Sequence, residues 1–120
     1  MNKLINLYPN EVEKLIDKNI IMIDVRRESE FYSTGIIKNS IPLTFFDDFG
    51  NYDIENWMNE FQKYVKSKDQ EFVLICAHAN RTRSIGNFLI DQGYTNVSHL
   101  YGGIAYWLDE GKETLAYKKS

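Results

Sequence analysis

The sequence contains a single cysteine among its 120 residues. One cysteine cannot form an internal disulfide, so nothing in the chain requires an oxidising compartment, and we expect a cytoplasmic location. A structural zinc site would need several cysteine or histidine ligands, whereas the chain offers one cysteine and two histidines. The residue counts therefore argue against a structural zinc site.

Long apolar segments, low-complexity tracts and an excess of positive charge are also missing. No apolar run reaches the length of a membrane span, and the first residues lack the apolar core of a signal peptide. The formal net charge of −3 argues against nucleic acid as a general partner. With 43% hydrophobic and 26% charged residues, the composition is typical of a soluble globular protein that does not enter a membrane.

The length of the chain is sufficient for one hydrophobic core and too short for two. We therefore expect a single domain over residues 1–120, with its core at about 4–112. The residues that follow, 113–120, are expected to form a solvated tail. A monomer is the default expectation at this size.

Helical and extended patterns alternate along the chain. The near-continuous apolar runs at 19–25 and 71–75 are typical of parallel strands buried on both faces. Shorter extended segments are expected around Pro42 and within 95–103. Helices are predicted at 10–18, 26–35, 53–66 and 104–111. A further helix is predicted from the end of the cysteine loop to about residue 92. This alternation predicts a three-layer α/β domain with a mainly parallel central sheet flanked by helices.

The segment ICAHANRTRS, at 75–84, combines the only cysteine with a histidine and two arginines. Cys76 ends a predicted strand, and ligands of parallel sheets bind beyond the carboxyl ends of the strands. The amides of 77–81 are placed to form an anion-binding nest, and the following helix directs its positive end to the same spot. Arg81 and Arg83 add positive charge. Because these surroundings favour a thiolate, we interpret Cys76 as a nucleophile.

Other interpretations of these residues account for less of the pattern. An inert buried cysteine is common at the end of a core strand, but that interpretation leaves the two arginines unexplained. His78 lies only two residues from Cys76 in a tight loop, an awkward position for a catalytic base, so we assign it to the lining of the loop. His99 is expected to have a structural or surface role.

Three segments in the right order resemble the single-domain rhodaneses, the thiosulfate sulfurtransferase family, over nearly the whole chain. The first, IIMIDVRRESEFYSTGIIKNSIPL, is similar to the family's strand ending in Asp-Val-Arg, followed by Glu-Phe and a Gly-x-Ile turn. The second, VLICAHANRTRS, is similar to its Cys-x-x-x-x-Arg-Ser/Thr loop. The third, VSHLYGGIAYWLDEG, is similar to its closing Leu-x-Gly-Gly-x-x-x-Trp-x-x-x-Gly.

The resemblance implies a rhodanese-like fold and a sulfurtransferase that needs no metal or organic cofactor. Cys76 would attack the outer sulfur of thiosulfate or a related small anionic donor, and would pass it from a persulfide to a thiol or sulfur-carrier protein. Arg81 would orient the donor, and Asp24 with Arg26 would brace the fold. The residues assigned to the substrate-binding loop are Ala77, His78, Ala79, Asn80, Arg81, Thr82 and Arg83.

The chain departs from the family pattern at three positions. An extra arginine, Arg83, follows the loop motif and is expected to widen the positive field. Ala79 stands where the loop usually has glycine, which predicts a loop that is reshaped or slightly strained, because alanine adopts positive φ at a cost. Ile36 stands where the family usually has histidine, so any role of that histidine is absent here.

Other functions on the same fold remain as alternatives. Phosphatases and arsenate reductases that resemble rhodaneses carry a Cys-x-x-x-x-x-Arg loop, one residue longer, whose arginine would fall at Thr82 in this chain. A phosphatase is therefore disfavoured. A non-catalytic sulfur-relay, sensor or binding module is the stronger alternative, although the retained cysteine favours an enzyme.

Overall fold

The computed structural model describes residues 3–119 and contains a five-stranded parallel sheet with helices on both faces. Residues 1, 2 and 120, which belong to the predicted domain, lie outside the described residues. The strands are β1 (Ile5–Leu7), β2 (Ile21–Asp24), β3 (Ser40–Pro42), β4 (Phe72–Ile75) and β5 (Val97–Leu100). The helices are α1 (Pro9–Asp17), α2 (Glu28–Thr34), α3 (Ile54–Phe61), α4 (Asn80–Asp91) and α5 (Gly103–Asp109). The predicted α/β class with a parallel sheet is confirmed.

The strand order is β1-β5-β4-β2-β3, which places β4 at the centre of the sheet. Ile23 of β2 lies opposite Leu74 of β4, and Leu74 in turn lies opposite His99 of β5. Because all strands are parallel, their carboxyl ends lie along one side of the sheet, which we call the carboxyl edge. Cys76 directly follows β4 at the middle of this edge.

Alternate residues of the central strand pack into two hydrophobic cores. Phe72 and Leu74 face the core that also contains Trp57 of α3 and Leu89 of α4. The intervening β4 residues face the second core, with members of α1 and α5 that include Val12, Ile16, Ile104 and Trp107. Both faces of β4 are therefore covered, which is why its sequence shows no alternation of apolar and polar residues.

Strand β1 was not predicted from the sequence. It has three residues and lies at one edge of the sheet, where Ile5 is 44% exposed. Its partner is β5, with Asn6 opposite His99. A three-residue edge strand with a half-exposed apolar residue has too little periodicity to stand out, and it forms because β5 offers an unpaired edge.

Helix α3 is shorter than the predicted 53–66, because it ends at Phe61. The side chain of Gln70 accepts a hydrogen bond from the amide of Lys66 and donates one to the carbonyl of Tyr64. These bonds stabilise a turn in place of the last helical residues. Apolar spacing alone did not reveal this local competition.

The predicted solvated tail at 113–120 differs from the structure over its described part. Ile36 and Leu115 exchange two backbone hydrogen bonds, of 2.9 and 2.7 Å. The ring of Tyr117 packs against Phe31 and Tyr32, with centroids 5.2 and 4.9 Å away. The segment is held because the loop after α2 offers free backbone groups and α2 itself offers an aromatic surface.

Within residues 3–119, no helix is both long and apolar enough to cross a membrane. The same residues contain no group of three or more histidine, cysteine, aspartate or glutamate side chains arranged to hold a metal ion.

Candidate active site

Cys76 is 1% exposed and lies between the end of β4 and the start of α4. The amides of the six residues from Ala77 to Thr82 donate no hydrogen bond to another backbone group within residues 3–119. Three of them belong to the first turn of α4, where helical amides have no intrahelical acceptor. The cysteine is thus followed by a run of free donors at the positive end of a helix, which suits a bound anion.

Ala79 adopts the left-handed conformation, with φ 69° and ψ 4°. The loop therefore keeps a backbone shape that suits glycine and carries the strain of an alanine in it, of the order of 1–2 kcal/mol. Of the two outcomes expected from the sequence, the strained loop is the one observed. Ala79 is also 4% exposed, so its methyl group is packed.

Gly103 allows α5 to approach the cysteine loop. Its φ is 66°, and a Cβ at this position would collide with the carbonyl groups of Cys76 and Ala77. The amides of Ile104 and Ala105 donate to these two carbonyls, at 2.9 and 3.1 Å. The start of α5 thereby fixes the first part of the loop, which explains the second glycine of the pair at 102–103.

Arg81 is paired with Glu30 of α2. Its Nη1 and Nη2 donate to the two carboxylate oxygens of Glu30, both at 2.7 Å, and each side chain is 23% exposed. The hydrogen bond from Arg81, together with one from the amide of Arg27, lowers the pKa of Glu30 to about 2, although burial opposes the shift. Glu30 is ionised at neutral pH, so its charge offsets that of Arg81.

The remaining loop residues lie closer to solvent. His78, Asn80 and Arg83 are exposed, and Nη1 of Arg83 donates to Oδ1 of Asn80 at 3.3 Å. Ala77 and His78 line a cavity of about 230 Å³ that also reaches Glu30. This cavity lies beside the first residues of the cysteine loop, and neither Cys76 nor Arg81 is among its lining residues. A cavity of about 880 Å³ on another face contains none of the predicted site residues.

Thr82 connects the cysteine to a buried histidine. Its Oγ1 lies 3.5 Å from Sγ of Cys76, 2.8 Å from Nδ1 of His99 and 3.2 Å from the carbonyl oxygen of Ala79. Nε2 of His99 lies 2.6 Å from Oδ1 of Asn6. Burial lowers the pKa of His99 to about 4, with a smaller contribution from the charge of Arg83. His99 is therefore neutral at pH 7.

Asp24 and Arg26 form a buried ion pair at the end of β2. Nη2 of Arg26 lies 2.8 Å from Oδ2 of Asp24, and the two side chains are 1% and 0% exposed. The same guanidinium donates to the hydroxyl of Thr34 and to the carbonyl oxygen of Gly35, both at 2.7 Å. These contacts connect the end of β2 to the C-terminal end of α2.

Two partners of the loop were not identified as site residues from the sequence. Glu30 lies within the first family-like segment, and its position next to Phe31 gives no sign of a partner 51 residues away. Asn6 belongs to the unpredicted strand β1. His99 was expected to have a structural or surface role. The structure shows that it is buried and hydrogen-bonded to Thr82 of the loop. Apart from their motif context, no local sequence signal identifies such contacts.

The fold and the site together define a class of protein: a parallel α/β domain that presents one cysteine in a loop of free amides at the carboxyl edge. Residues 8–110 match the family described as rhodanese-like domain. The chain belongs to this family, as its sequence motifs had indicated.

Several relatives carry specific names. The chain is 26% identical to the thiosulfate sulfurtransferase GlpE of Pseudomonas syringae, over 89% of this chain and 90% of that protein. It is 32% identical to the tRNA uridine(34) hydroxylase of Legionella pneumophila, over 90% of this chain. The chain spans only 41% of the length of that hydroxylase, and 32% of the length of its relatives from Acinetobacter.

Solved structures share the fold. A rhodanese-related protein from Thermoplasma volcanium superposes with a TM-score of 0.70 at 25% identity, covering 94% of this chain and 99% of the other. The polysulfide-sulfur transferase homodimer from Wolinella succinogenes gives a TM-score of 0.71 at 24% identity, covering 93% and 78%. At that identity the second likeness concerns the fold alone.

Proposed function

We propose that this protein is a sulfurtransferase that carries sulfane sulfur as a persulfide on Cys76. The observation that supports this most directly is the position of the only cysteine, at the carboxyl edge and next to the run of free amides from Ala77 to Thr82. A thiolate and a persulfide are both anions, and preorganised N–H groups stabilise such charges without having to reorient. The similarity to GlpE over nearly its whole length adds support.

The proposed reaction is a nucleophilic displacement at sulfur. The thiolate of Cys76 attacks the outer sulfur of thiosulfate, a bond forms between Sγ and that sulfur, and the bond to the sulfonate group breaks. Sulfite leaves with the electron pair, and the negative charge moves to the outer sulfur of the persulfide. A thiophilic acceptor then takes this sulfur and restores the thiolate. No electron donor or acceptor is consumed.

The partners we propose follow from this chemistry. The donor is thiosulfate or a related small anionic sulfane compound, and the acceptor is a thiol or a sulfur-carrier protein. The steps require no metal or organic cofactor. We propose a cytoplasmic monomer that works without nucleic acid or membrane, since the lone cysteine suits a reducing compartment and the net charge is −3.

A phosphatase is the less favoured enzyme on this fold. The loop from Cys76 to Arg81 is one residue shorter than the Cys-x-x-x-x-x-Arg pattern, and a phosphoryl group needs donors for several oxygens. Thr82 occupies the position that the arginine of the longer loop would take. We therefore expect sulfur transfer without significant hydrolysis of aryl phosphates.

Hydroxylation of tRNA is a second candidate, because the chain is 32% identical to proteins of that name. We favour sulfur transfer, since the match spans 90% of GlpE and 41% of the Legionella hydroxylase. The two functions differ in their product. Nucleoside analysis of tRNA incubated with the protein should detect no new hydroxylated uridine, and a Cys76-dependent gain of oxygen would favour the second candidate.

Intact-mass spectrometry after incubation with thiosulfate tests the proposal directly. The wild type should gain the mass of one sulfur, which a thiol acceptor then removes. Cys76→Ser should gain none, because its hydroxyl is far less nucleophilic, while its circular dichroism and melting temperature stay close to those of the wild type. Absence of the sulfur adduct with thiosulfate and with other sulfane donors would refute the transferase. Phosphatase turnover that depends on Cys76 and exceeds sulfur transfer would replace it.

A further inference from the structure

Three side chains form a hydrogen-bonded series behind Cys76 that the displacement at sulfur does not use. From the sulfur it passes to the hydroxyl of Thr82, then to His99, and ends at Asn6 on the edge strand. Cys76, Thr82 and His99 are at most 2% exposed, whereas Asn6 is exposed. Buried polar groups at these distances constrain one another, so the position of each proton can be derived from its neighbours.

The tautomer of His99 follows from Asn6. Oδ1 of Asn6 accepts hydrogen bonds but cannot donate them, so Nε2 of His99, at 2.6 Å, must carry a proton. A neutral imidazole has a single ring proton, which leaves Nδ1 as an acceptor. Burial and the charge of Arg83 lower the pKa of His99 to about 4, which keeps the ring neutral in the resting protein, so an imidazolium can form there only transiently and beside the negative charge of a Cys76 thiolate.

The single proton of the Thr82 hydroxyl then has a preferred acceptor. Nδ1 of His99 is 2.8 Å away, whereas the carbonyl oxygen of Ala79 is 3.2 Å away. With this proton directed at Nδ1, Oγ1 of Thr82 presents a lone pair to Cys76. That lone pair can accept a hydrogen bond from a thiol but repels a thiolate. In the resting series, every hydrogen-bond donor therefore has an acceptor when Cys76 carries its proton.

A second complete arrangement exists with the proton moved. If Nδ1 of His99 is protonated, it donates to Oγ1 of Thr82, whose hydroxyl then donates to a thiolate at Cys76. An arrangement with a thiolate and a neutral His99 would leave Nδ1 buried and without a donor, which is unfavourable. The charged groups that face His99 in this arrangement are the Cys76 thiolate and Arg83 of α4, while β1 contributes the neutral Asn6.

We propose that Thr82 and His99 act as a proton relay for Cys76, in which the Thr82 hydroxyl passes the thiol proton to Nδ1 of His99 as the nucleophile forms. The Sγ–H bond breaks and an Oγ1–H bond forms, while the original Oγ1–H bond breaks and an Nδ1–H bond forms. The electron pair stays on sulfur, and His99 becomes an imidazolium whose Nε2–H still donates to Asn6. The proton returns when the acceptor has taken the sulfur. The proposal rests on Cys76 being the nucleophile of the proposed function.

The rate of alkylation of Cys76 by iodoacetamide at pH 7 tests the relay without requiring sulfur transfer. Because Cys76 is the only cysteine, the intact mass reports on this site alone. Thr82→Val removes the hydroxyl and keeps the side-chain shape, and it should slow alkylation about tenfold or more. Thr82→Ser retains the hydroxyl and should stay within about threefold of the wild type. Thr44→Val is the matched control, because its hydroxyl donates to the carbonyl of Arg26 away from the relay.

Two further measurements separate a relay from simple packing. Asn6→Asp changes an exposed position and places a carboxylate next to Nε2 of His99, which should favour the imidazolium and raise the alkylation rate about threefold or more. Nitrogen-15 NMR should show His99 of the resting wild type as the Nε2–H tautomer. An Nδ1–H tautomer, an Asn6→Asp variant no faster than the wild type, or a folded Thr82→Val variant as fast as Thr44→Val would each overturn the relay.

The relay and the proposed function fail in different ways. If the wild type takes sulfur from thiosulfate while Thr82→Val alkylates at the control rate, the relay is refuted and the transferase stands. If Thr82→Val is slowed but the wild type never gains sulfur from any sulfane donor, the relay is supported and the transferase is refuted.

Discussion

Two arginine–carboxylate pairs hold helix α2 near the carboxyl edge, and they differ in their burial. Arg26 and Asp24 are 1% and 0% exposed, and the hydrogen bonds between them are buried, although Arg26 also reaches the partly buried hydroxyl of Thr34 and lines part of the same cavity as Glu30. Arg81 and Glu30 are each 23% exposed. Glu30 lines the cavity beside the cysteine loop, and Arg81 belongs to the loop itself. The same chemistry thus occurs once in the interior and once at the surface of the candidate site.

The difference in burial assigns different roles to the two pairs. Removing one partner of a buried pair leaves an uncompensated charge in the interior, which is strongly destabilising. A half-exposed pair contributes little to stability, because water screens it. The side chain of Arg81 is 23% exposed, so an anionic ligand can approach its guanidinium from solvent. We therefore expect Arg26 to matter for folding and Arg81 to matter for the use of anionic donors.

The largest expected effect is the loss of stability in Arg26→Leu. This substitution leaves the carboxylate of Asp24 buried without its partner and should lower the free energy of unfolding by about 3–5 kcal/mol. Chemical denaturation measures the change. Arg27→Leu is a suitable control, because Arg27 is 41% exposed and its substitution should cost less than about 1 kcal/mol.

The buried pair also predicts a rescue. Asp24→Leu combined with Arg26→Leu removes both charges and should recover part of the stability that Arg26→Leu alone loses. If Arg26→Leu alone were as stable as the wild type, the expected difference in stability between the buried and the partly exposed pair would be refuted.

An intermediate effect is expected for Arg81→Ala, on activity rather than on stability. This variant should reduce kcat/KM for thiosulfate about 10- to 100-fold, mainly through KM, because one charge-assisted contact is lost and Glu30 remains as a negative charge. Steady-state kinetics with thiosulfate and with an uncharged sulfane donor separate this cause from general damage. The uncharged donor should be affected much less.

Glu30→Gln sharpens the same comparison. Added to Arg81→Ala, it removes the unpaired carboxylate and should restore part of the lost kcat/KM. Arg83→Ala serves as the matched control and should have a smaller effect than Arg81→Ala, since Arg83 lies beyond the loop that ends at Arg81. A larger effect of Arg83→Ala would mean that Arg83, and not Arg81, orients the donor.

The smallest effect is the contribution of Glu30 to stability in acid. The folded-state pKa of about 2 is below the ordinary value of 4.5, so the pair contributes fully above about pH 4.5 and loses its contribution as the pH falls towards about 2. The loss should be no more than about 1 kcal/mol, because the pair is partly exposed. Denaturation of the wild type and of Glu30→Gln between pH 6 and 2 measures it, and equal slopes for both proteins would contradict it.

Much of the architecture was predictable because its signals are local. The unbroken apolar run before Cys76 reflects a strand covered on both faces, and Gly35 and Gly93 follow helices where the chain must turn, with φ of 76° and 101°. The end of α3 was not predictable, since Gln70 competes for backbone groups that the helical pattern alone would have continued to use.

The fold class, the family and the place of the cysteine could be predicted from the sequence, since apolar periodicity and motif spacing act over short distances along the chain. The contact of Glu30 with Arg81 and the alignment of Asn6, His99 and Thr82 behind Cys76 arise in the folded chain and could not be predicted. These partners are far apart in the sequence: Glu30 lies 51 residues from Arg81, and Asn6 lies 93 residues from His99. Parallel strand pairing and the packing of helices on the sheet bring them together. A local sequence pattern does not indicate such long-range contacts.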